Sequence, residues 1–204
     1  MTAVIPETQS APPSPLRPTA TAVTVVVLAG GLGRRMGNAD KGLELLQGRA
    51  LVSWVLGRMT AQAGEILISA NRNHDIYGKF GHRVVADRIA GFAGPLAGMH
   101  AGLSEAAHEL VAFVPCDTPL LAPLGDDRVD VSLAKTGTQP HPVICVTRRR
   151  LRVRLEAFLA SGGRKVDGWF ATLNAVQVAF DDQPGAFRNI NTVEELHAIP
   201  GDSG

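Results

Sequence analysis

"VVVLAGGLGRRMGNADKGLELL", Val25 to Leu46, decides how the rest of the chain is read. A run of β-branched residues stops at a pair of glycines, and two arginines and a lysine follow. A continuous apolar run without alternation fits a strand buried on both faces, as in a parallel sheet. Open sheets of that kind bind ligands at the carboxyl ends of their strands. Gly30, Gly31 and Gly33 sit at that end, where backbone N–H groups can approach an anion with no Cβ in the way. Arg34, Arg35 and Lys41 bring full positive charge to the same place. A tight turn with solvated arginines is the plainer reading. Three glycines, two arginines and a lysine after one buried strand favour phosphate.

The phosphate motif is neither of the two commonest. No GxxxxGK[ST] fits the stretch, and Met36 stands where the dinucleotide fingerprint needs a small residue. The second strand ends in "SANR" with no acidic residue for a ribose hydroxyl, which disfavours a nicotinamide dehydrogenase.

Outward from this stretch, strand-like and helix-like segments alternate. Strands are expected at Val23–Ala29, Glu65–Ala70, His82–Asp87 and Leu110–Pro115. Helices are expected in "ALVSWVLGRMTAQ", with Leu51, Trp54, Val55 and Met59 on one face, over His74–Phe80, and in "LAGMHAGLSEAAHE". The pattern implies an α/β fold, a mainly parallel twisted sheet with helices on both faces. In the second half, "RVDVSLAK" and "PHPVICV" form a β-hairpin around "TGTQ". Helices follow in "TRRRLRVRLEAFLASG" and "VDGWFATL", then a strand in "AVQVAF". A last helix, "TVEELHAI", is capped by Thr192 with Glu195 three positions on.

Residues 1–22, rich in Pro, Ser, Thr and Ala, read as a disordered leader. Residues 23–199 read as a single domain, and residues 200–204 as a frayed tail. The 204 residues are 45% hydrophobic and 19% charged with net charge +1. Global charge therefore argues for neither nucleic acid nor a membrane surface as partner. Two cysteines, Cys116 and Cys145, in no metal-like spacing, fit a reducing compartment, and the cytoplasm is the expected location. The run "RRRLRVR" (Arg148–Arg154) lacks interleaved aromatics for base stacking. On a helix it is a solvated face with Leu151 and Leu155 turned inward.

A second set of candidates is acidic. Asp117 in "VPCDTP" follows the buried strand Leu110–Pro115 and is placed either to start a turn or cap a helix, or to hold Mg²⁺ on a triphosphate. Asp87 closes "VVAD" at another strand end, and Asn71 carries an amide able to pair with a base or ribose.

Taken in order, "LAGG…RRMG…DKG", "ANR", "VVAD", "GPLAGM", "VPCDTP", "HPVICV" and "FRNINTVEEL" resemble the Rossmann-like nucleotidyltransferases. Within them the likeness is to the molybdenum cofactor guanylyltransferases, the MobA family. The resemblance spans Val23 to about Ile199. It implies transfer of GMP from GTP to the terminal phosphate of molybdopterin or Mo-molybdopterin. Leu28, Ala29, Gly30, Gly31 and Lys41 would seat the nucleotide, with Ser69, Asn71, Asp87 and Asp117 around it. The second glycine of "LAGG" goes with guanine in the family, so Gly31 points to GTP over CTP. The family's nucleotide-contacting asparagine aligns with Ser69, a shorter hydrogen-bonding group. Arg35, Lys41 and Asp117 are the catalytic candidates, and Asp117 is the Mg²⁺ ligand. Asn189 and Asn191, with Arg164 and Lys165, are expected on the acceptor side. His141 in "HPV" matches the family and is given no chemical step. Proteins that insert molybdenum or chaperone molybdoenzymes are the implied partners. The alternatives are a same-fold enzyme using CTP or a sugar-phosphate acceptor, and a non-catalytic nucleotide-binding or cofactor-delivery module.

Overall fold

A computed structural model describes residues 22–30, 40–89, 94–118, 129–182 and 187. The leader other than Ala22, the tail and the "TVEELHAI" helix lie outside these residues. Strand β1 (Val23–Leu28) sits within a seven-stranded sheet. Its parallel neighbours are β4 (Glu65–Ser69) and β6 (Leu110–Pro115), and β5 (Arg83–Val85) pairs parallel with β4. The order is β5-β4-β1-β6-β8-β7-β9, where β7 is Val131–Thr136, β8 Gln139–Arg148 and β9 Ala175–Ala179. Only β8 runs against its neighbours; β9 lies parallel to β7. The mainly parallel sheet expected from the sequence is therefore present. So is the hairpin, which turns at Gly137 with φ 53°, a conformation open to glycine.

The valines of β1 divide between two cores. Val25 and Val27 pack with helix α1 (Leu51–Met59), Tyr77 and Cys116. Val26 packs on the other face with α3 (Pro95–Glu105), α4 (Arg152–Ala160) and α5 (Val166–Phe170). Period-two alternation thus buries both faces of β1, as an uninterrupted apolar run requires. On α1 the fully covered stripe is Leu51, Val52, Val55, Leu56 and Met59, each contributing about 1.5–3 kcal/mol of burial. Trp54, expected on that face, lies at its margin. Its indole N–H donates to the Leu46 carbonyl at 3.2 Å, and the Arg49 guanidinium stands 4.4 Å over its ring. Leu46 and Arg49 belong to the two short strands of a small hairpin, β2 (Leu45–Leu46) and β3 (Arg49–Ala50), which precedes α1.

The helix expected over Thr147–Gly162 starts later. β8 continues to Arg148, a tight turn covers Arg149–Leu151, and α4 begins at Arg152. Pairing of Leu110 with Arg148 holds the extra strand residues, a long-range constraint that outweighs helix propensity. Leu151 and Leu155 point inward, 2% and 0% exposed, as expected. The arginines around them meet carboxylates: Arg150 and Arg154 reach Asp130, and Arg152 reaches Glu156 at 3.0 Å. Among the described residues no helix is long and apolar enough to cross a membrane.

Candidate functional site at the carboxyl rim of the sheet

Four strands end in one row. Leu28 is in register with Ser69 on one side and Pro115 on the other, and Ser69 with Val85. The row is tied beyond the ladder by backbone hydrogen bonds. Ala29 N–H donates to the Ser69 carbonyl at 2.8 Å, Cys116 N–H to that of Leu28 at 3.1 Å, and Ala70 N–H to that of Val85 at 3.0 Å. Everything one or two residues further, namely Gly30, Asn71, Asp87 and Asp117, therefore stands on a common rim. The glycine turn leaves β1 between the strands that lead to the two aspartates.

On one side of the turn, the Lys41 ammonium is ion-paired with Asp117. The Asp117 residue is 8% exposed, so the carboxylate is held close to the apolar core. A charge so placed is costly unless paired. Lys41 comes from the turn Lys41–Leu43, and the pair spans 76 positions of sequence. Cys116, next to Asp117, is buried; burial first, then the Asp117 charge, pushes its thiol far up, which leaves it a neutral packing group.

On the other side, Asn71 donates its amide to Asp87 Oδ2 at 2.7 Å and accepts from the Asp87 backbone N–H at 2.9 Å. Burial raises the Asp87 carboxyl above its ordinary range, and the Asn71 hydrogen bond and His100 oppose that shift. A Cβ built on Gly30 would lie 3.3 Å from the Asn71 amide nitrogen. The start of the glycine turn thus lies against the Asn71–Asp87 pair.

Ser69 sits differently from Asn71. It is 2% exposed, and a Cβ on Gly98 of α3 would lie only 2.7 Å from its hydroxyl. Its side chain faces the helix backbone and its carbonyl serves Ala29, so Asn71 presents the amide at the rim. The Ser69 hydroxyl is buried against α3. α3 is preceded by Gly94, φ 130°, and starts at Pro95, one residue ahead of the "LAGMHAGLSEAAHE" helix expected from the sequence.

Of the acceptor-side candidates, Arg164 donates to the carbonyls of Leu159 at 2.9 Å and Gly163 at 2.6 Å, which caps the end of α4. Lys165 is exposed at the start of α5. His141 stacks on Phe187 at 4.9 Å, and its Nε2 lies 2.8 Å from the Thr136 hydroxyl. Burial lowers its pKa, in keeping with a neutral, structural ring. Gly31, Arg35, Asn189 and Asn191 lie outside the described residues.

Sequence reasoning missed Asp40 and Tyr77. The Tyr77 hydroxyl donates to Asp40 Oδ1 at 2.5 Å, and the Asn73 amide donates to Oδ2 at 2.8 Å. The only available signal was that Asp40 directly precedes Lys41.

The MobA-like NTP transferase domain matches this chain over residues 25–176. A molybdenum cofactor guanylyltransferase of Shewanella putrefaciens is 42% identical over 182 residues, covering 85% of this chain and 93% of the relative. That of Shewanella halifaxensis is 41% identical over 186 residues, covering 87% and 93%. Among solved structures, molybdopterin-guanine dinucleotide biosynthesis protein A from Archaeoglobus fulgidus superposes with a TM-score of 0.71 at 23% identity, covering 85% and 95%. The fold is shared with that structure, and the described rim holds Gly30, Asn71, Asp87 and Asp117 from the motifs of the resemblance. The chain belongs to the MobA-like NTP transferases.

Proposed function

We propose that this protein is a molybdenum cofactor guanylyltransferase. A terminal phosphate oxygen of molybdopterin, with or without molybdenum, attacks the α-phosphorus of GTP. The bond from that phosphorus to the bridging oxygen of the β-phosphate breaks, and pyrophosphate leaves with the electron pair. The attacking phosphate is already ionised, so the chain needs no strong general base. Its work is alignment and neutralisation of charge.

Leu28, Ala29, Gly30 and Gly31 seat the nucleotide, and Asn71 with Asp87 meets its base or ribose. Lys41 and Arg35 neutralise phosphate and the departing pyrophosphate. Asn189, Asn191, Arg164 and Lys165 face the acceptor. The observation that carries this reading is the Lys41–Asp117 pair at the end of β6, a cation and a hard oxygen donor held together next to the end of β1.

The donor set also fits magnesium. Among the described residues no three His, Cys, Asp or Glu side chains converge as a metal cage. A magnesium that keeps its waters and arrives on a triphosphate needs only one or two carboxylates, and Asp117 supplies one. When bound, Mg²⁺ supplies Lewis-acid stabilisation of the phosphoryl oxygens. The free, buried thiols Cys116 and Cys145 support the cytoplasm as the compartment.

Pyrophosphate release tests the function. It is expected with GTP, Mg²⁺ and molybdopterin together and not when molybdopterin is left out. Release with CTP equal to that with GTP would move the assignment to a cytidylyltransferase. Binding of GTP without release under any combination would leave a delivery module instead.

A further inference from the structure

Tyr77 is the chain's single tyrosine, carried by helix α2 (His74–Gly78) and fully buried at 0% exposure. A buried hydroxyl needs a partner, and this one has Asp40. The second donor on Asp40, Asn73, starts the same turn in a left-handed conformation with φ 54°. The Asn73 carbonyl accepts the N–H groups of Ile76 and Tyr77, both at 2.9 Å. The two donors therefore come from one hydrogen-bonded unit, and both oxygens of Asp40 are held by it.

The residue after Lys41 touches the same hydroxyl. A Cβ on Gly42 would fall 2.5 Å from the Tyr77 oxygen and 3.4 Å from the Cys116 sulfur. Only glycine lets the backbone pass there. Lys41 thus has a hydrogen-bonded carboxylate before it, a residue packed on Tyr77 after it, and its own ammonium on Asp117. The aromatic ring alone would fill the core as phenylalanine does; the hydroxyl is the part that meets the lysine turn. Burial, and then the hydrogen bond to Asp40, push the Tyr77 pKa far up, so the hydroxyl stays a donor at any working pH.

We propose that Tyr77 and Asn73, acting through Asp40, are positioning residues that fix Lys41 for the phosphates of the nucleotide. The inference rests on the reading of Lys41 as the phosphate-neutralising group. A side chain misplaced by 1 Å can cost about 10²-fold in rate. Tyr77→Phe keeps the ring and removes one of two tethers, so a fall in kcat of about 10-fold is expected, with KM for GTP within about two-fold.

The deciding experiment is a double-mutant cycle on pyrophosphate release, using Tyr77→Phe, Lys41→Met and the double variant, each checked by thermal melting. If Tyr77 acts through Lys41, Tyr77→Phe costs about 10-fold in the wild-type background and less than about two-fold in Lys41→Met. Equal costs in both backgrounds, or a Tyr77→Phe enzyme that melts earlier but keeps its kcat, would overturn the inference and leave Tyr77 a packing residue. Lys41→Met turning over at the wild-type rate would instead overturn the role of Lys41 itself, and the positioning of it with it. Asn73→Ala, which removes the other tether, is expected to repeat the pattern: a loss in kcat that disappears in the Lys41→Met background.

Discussion

Asp117 and Asp87 stand on one rim, either side of the end of β1, and are neutralised in different ways. Asp117 faces a cation, Lys41. Asp87 faces a neutral amide, Asn71, in a reciprocal pair of hydrogen bonds. A carboxylate with a lysine is ready to exchange partners with a metal and a phosphate. One with an amide has a donor and an acceptor to offer and little charge to trade. On the proposed function, the difference would separate chemistry from recognition along a few residues of sheet edge.

That separation fails if the two corners respond alike to substitution. The largest effects belong to the charged corner. Asp117→Ala and Lys41→Ala are each expected to lower the rate of pyrophosphate release by about 10² to 10³, or about 3–4 kcal/mol, the typical cost of one electrostatic contact to the transition state. Circular dichroism should show the fold intact. A wild-type rate in Asp117→Ala would remove it from the catalytic corner.

Next comes the support under the amide corner. Gly98→Val places a branched side chain where a Cβ alone would meet the Ser69 hydroxyl at 2.7 Å and Leu28 Cδ2 at 3.0 Å. Overpacking of this kind costs about 1–3 kcal/mol, to be read from the urea midpoint. An unchanged midpoint would mean that α3 can move off the sheet at no cost.

Asn71→Ala leaves Asp87 without its amide and is expected to raise KM for GTP by about 5- to 10-fold, near 1 kcal/mol for a lost hydrogen bond. The value of kcat should stay within about two-fold. A fall in kcat as large as that of Lys41→Ala would erase the distinction between the corners.

The smallest effect is a pH dependence. Burial raises the folded-state pKa of Asp87, so the folded protein holds that proton more firmly than the unfolded chain. Stability from this group is fully present below the ordinary Asp range near 4 and is lost as pH rises through the raised value. Asp87→Asn is therefore expected to melt slightly higher than wild type at pH 7, with the gain fading toward pH 4. An advantage that stays constant with pH would show that ionisation of Asp87 is not its source.

Much of this was legible in the chain. The β-branched runs and the glycines that end them announced the parallel sheet, because buried strands and their turns leave local marks. Gly137 in "TGTQ" did the same for the hairpin. Asp117 and Lys41 could each be singled out at a strand end or beside the glycines. Pairings across long stretches of sequence were not legible. The Tyr77–Asp40 contact bridges 37 positions, and Tyr77 by itself reads as a core aromatic. Ser69 and Asn71 have similar chemistry, and only the helix laid over β4 decides which one reaches the rim. Just before α4, Arg148 fits a helix equally well; its pairing with Leu110 keeps it in the strand.

The common row formed by Leu28, Ser69, Val85 and Pro115 limits how such an enzyme can vary. Inserting one residue within β4 would exchange the inward sides of Ile66 and Leu67 and carry Asn71 a step past its partner at the same stroke. Reach toward a different nucleotide or acceptor is left to residues beyond the row, outside the register that both cores share.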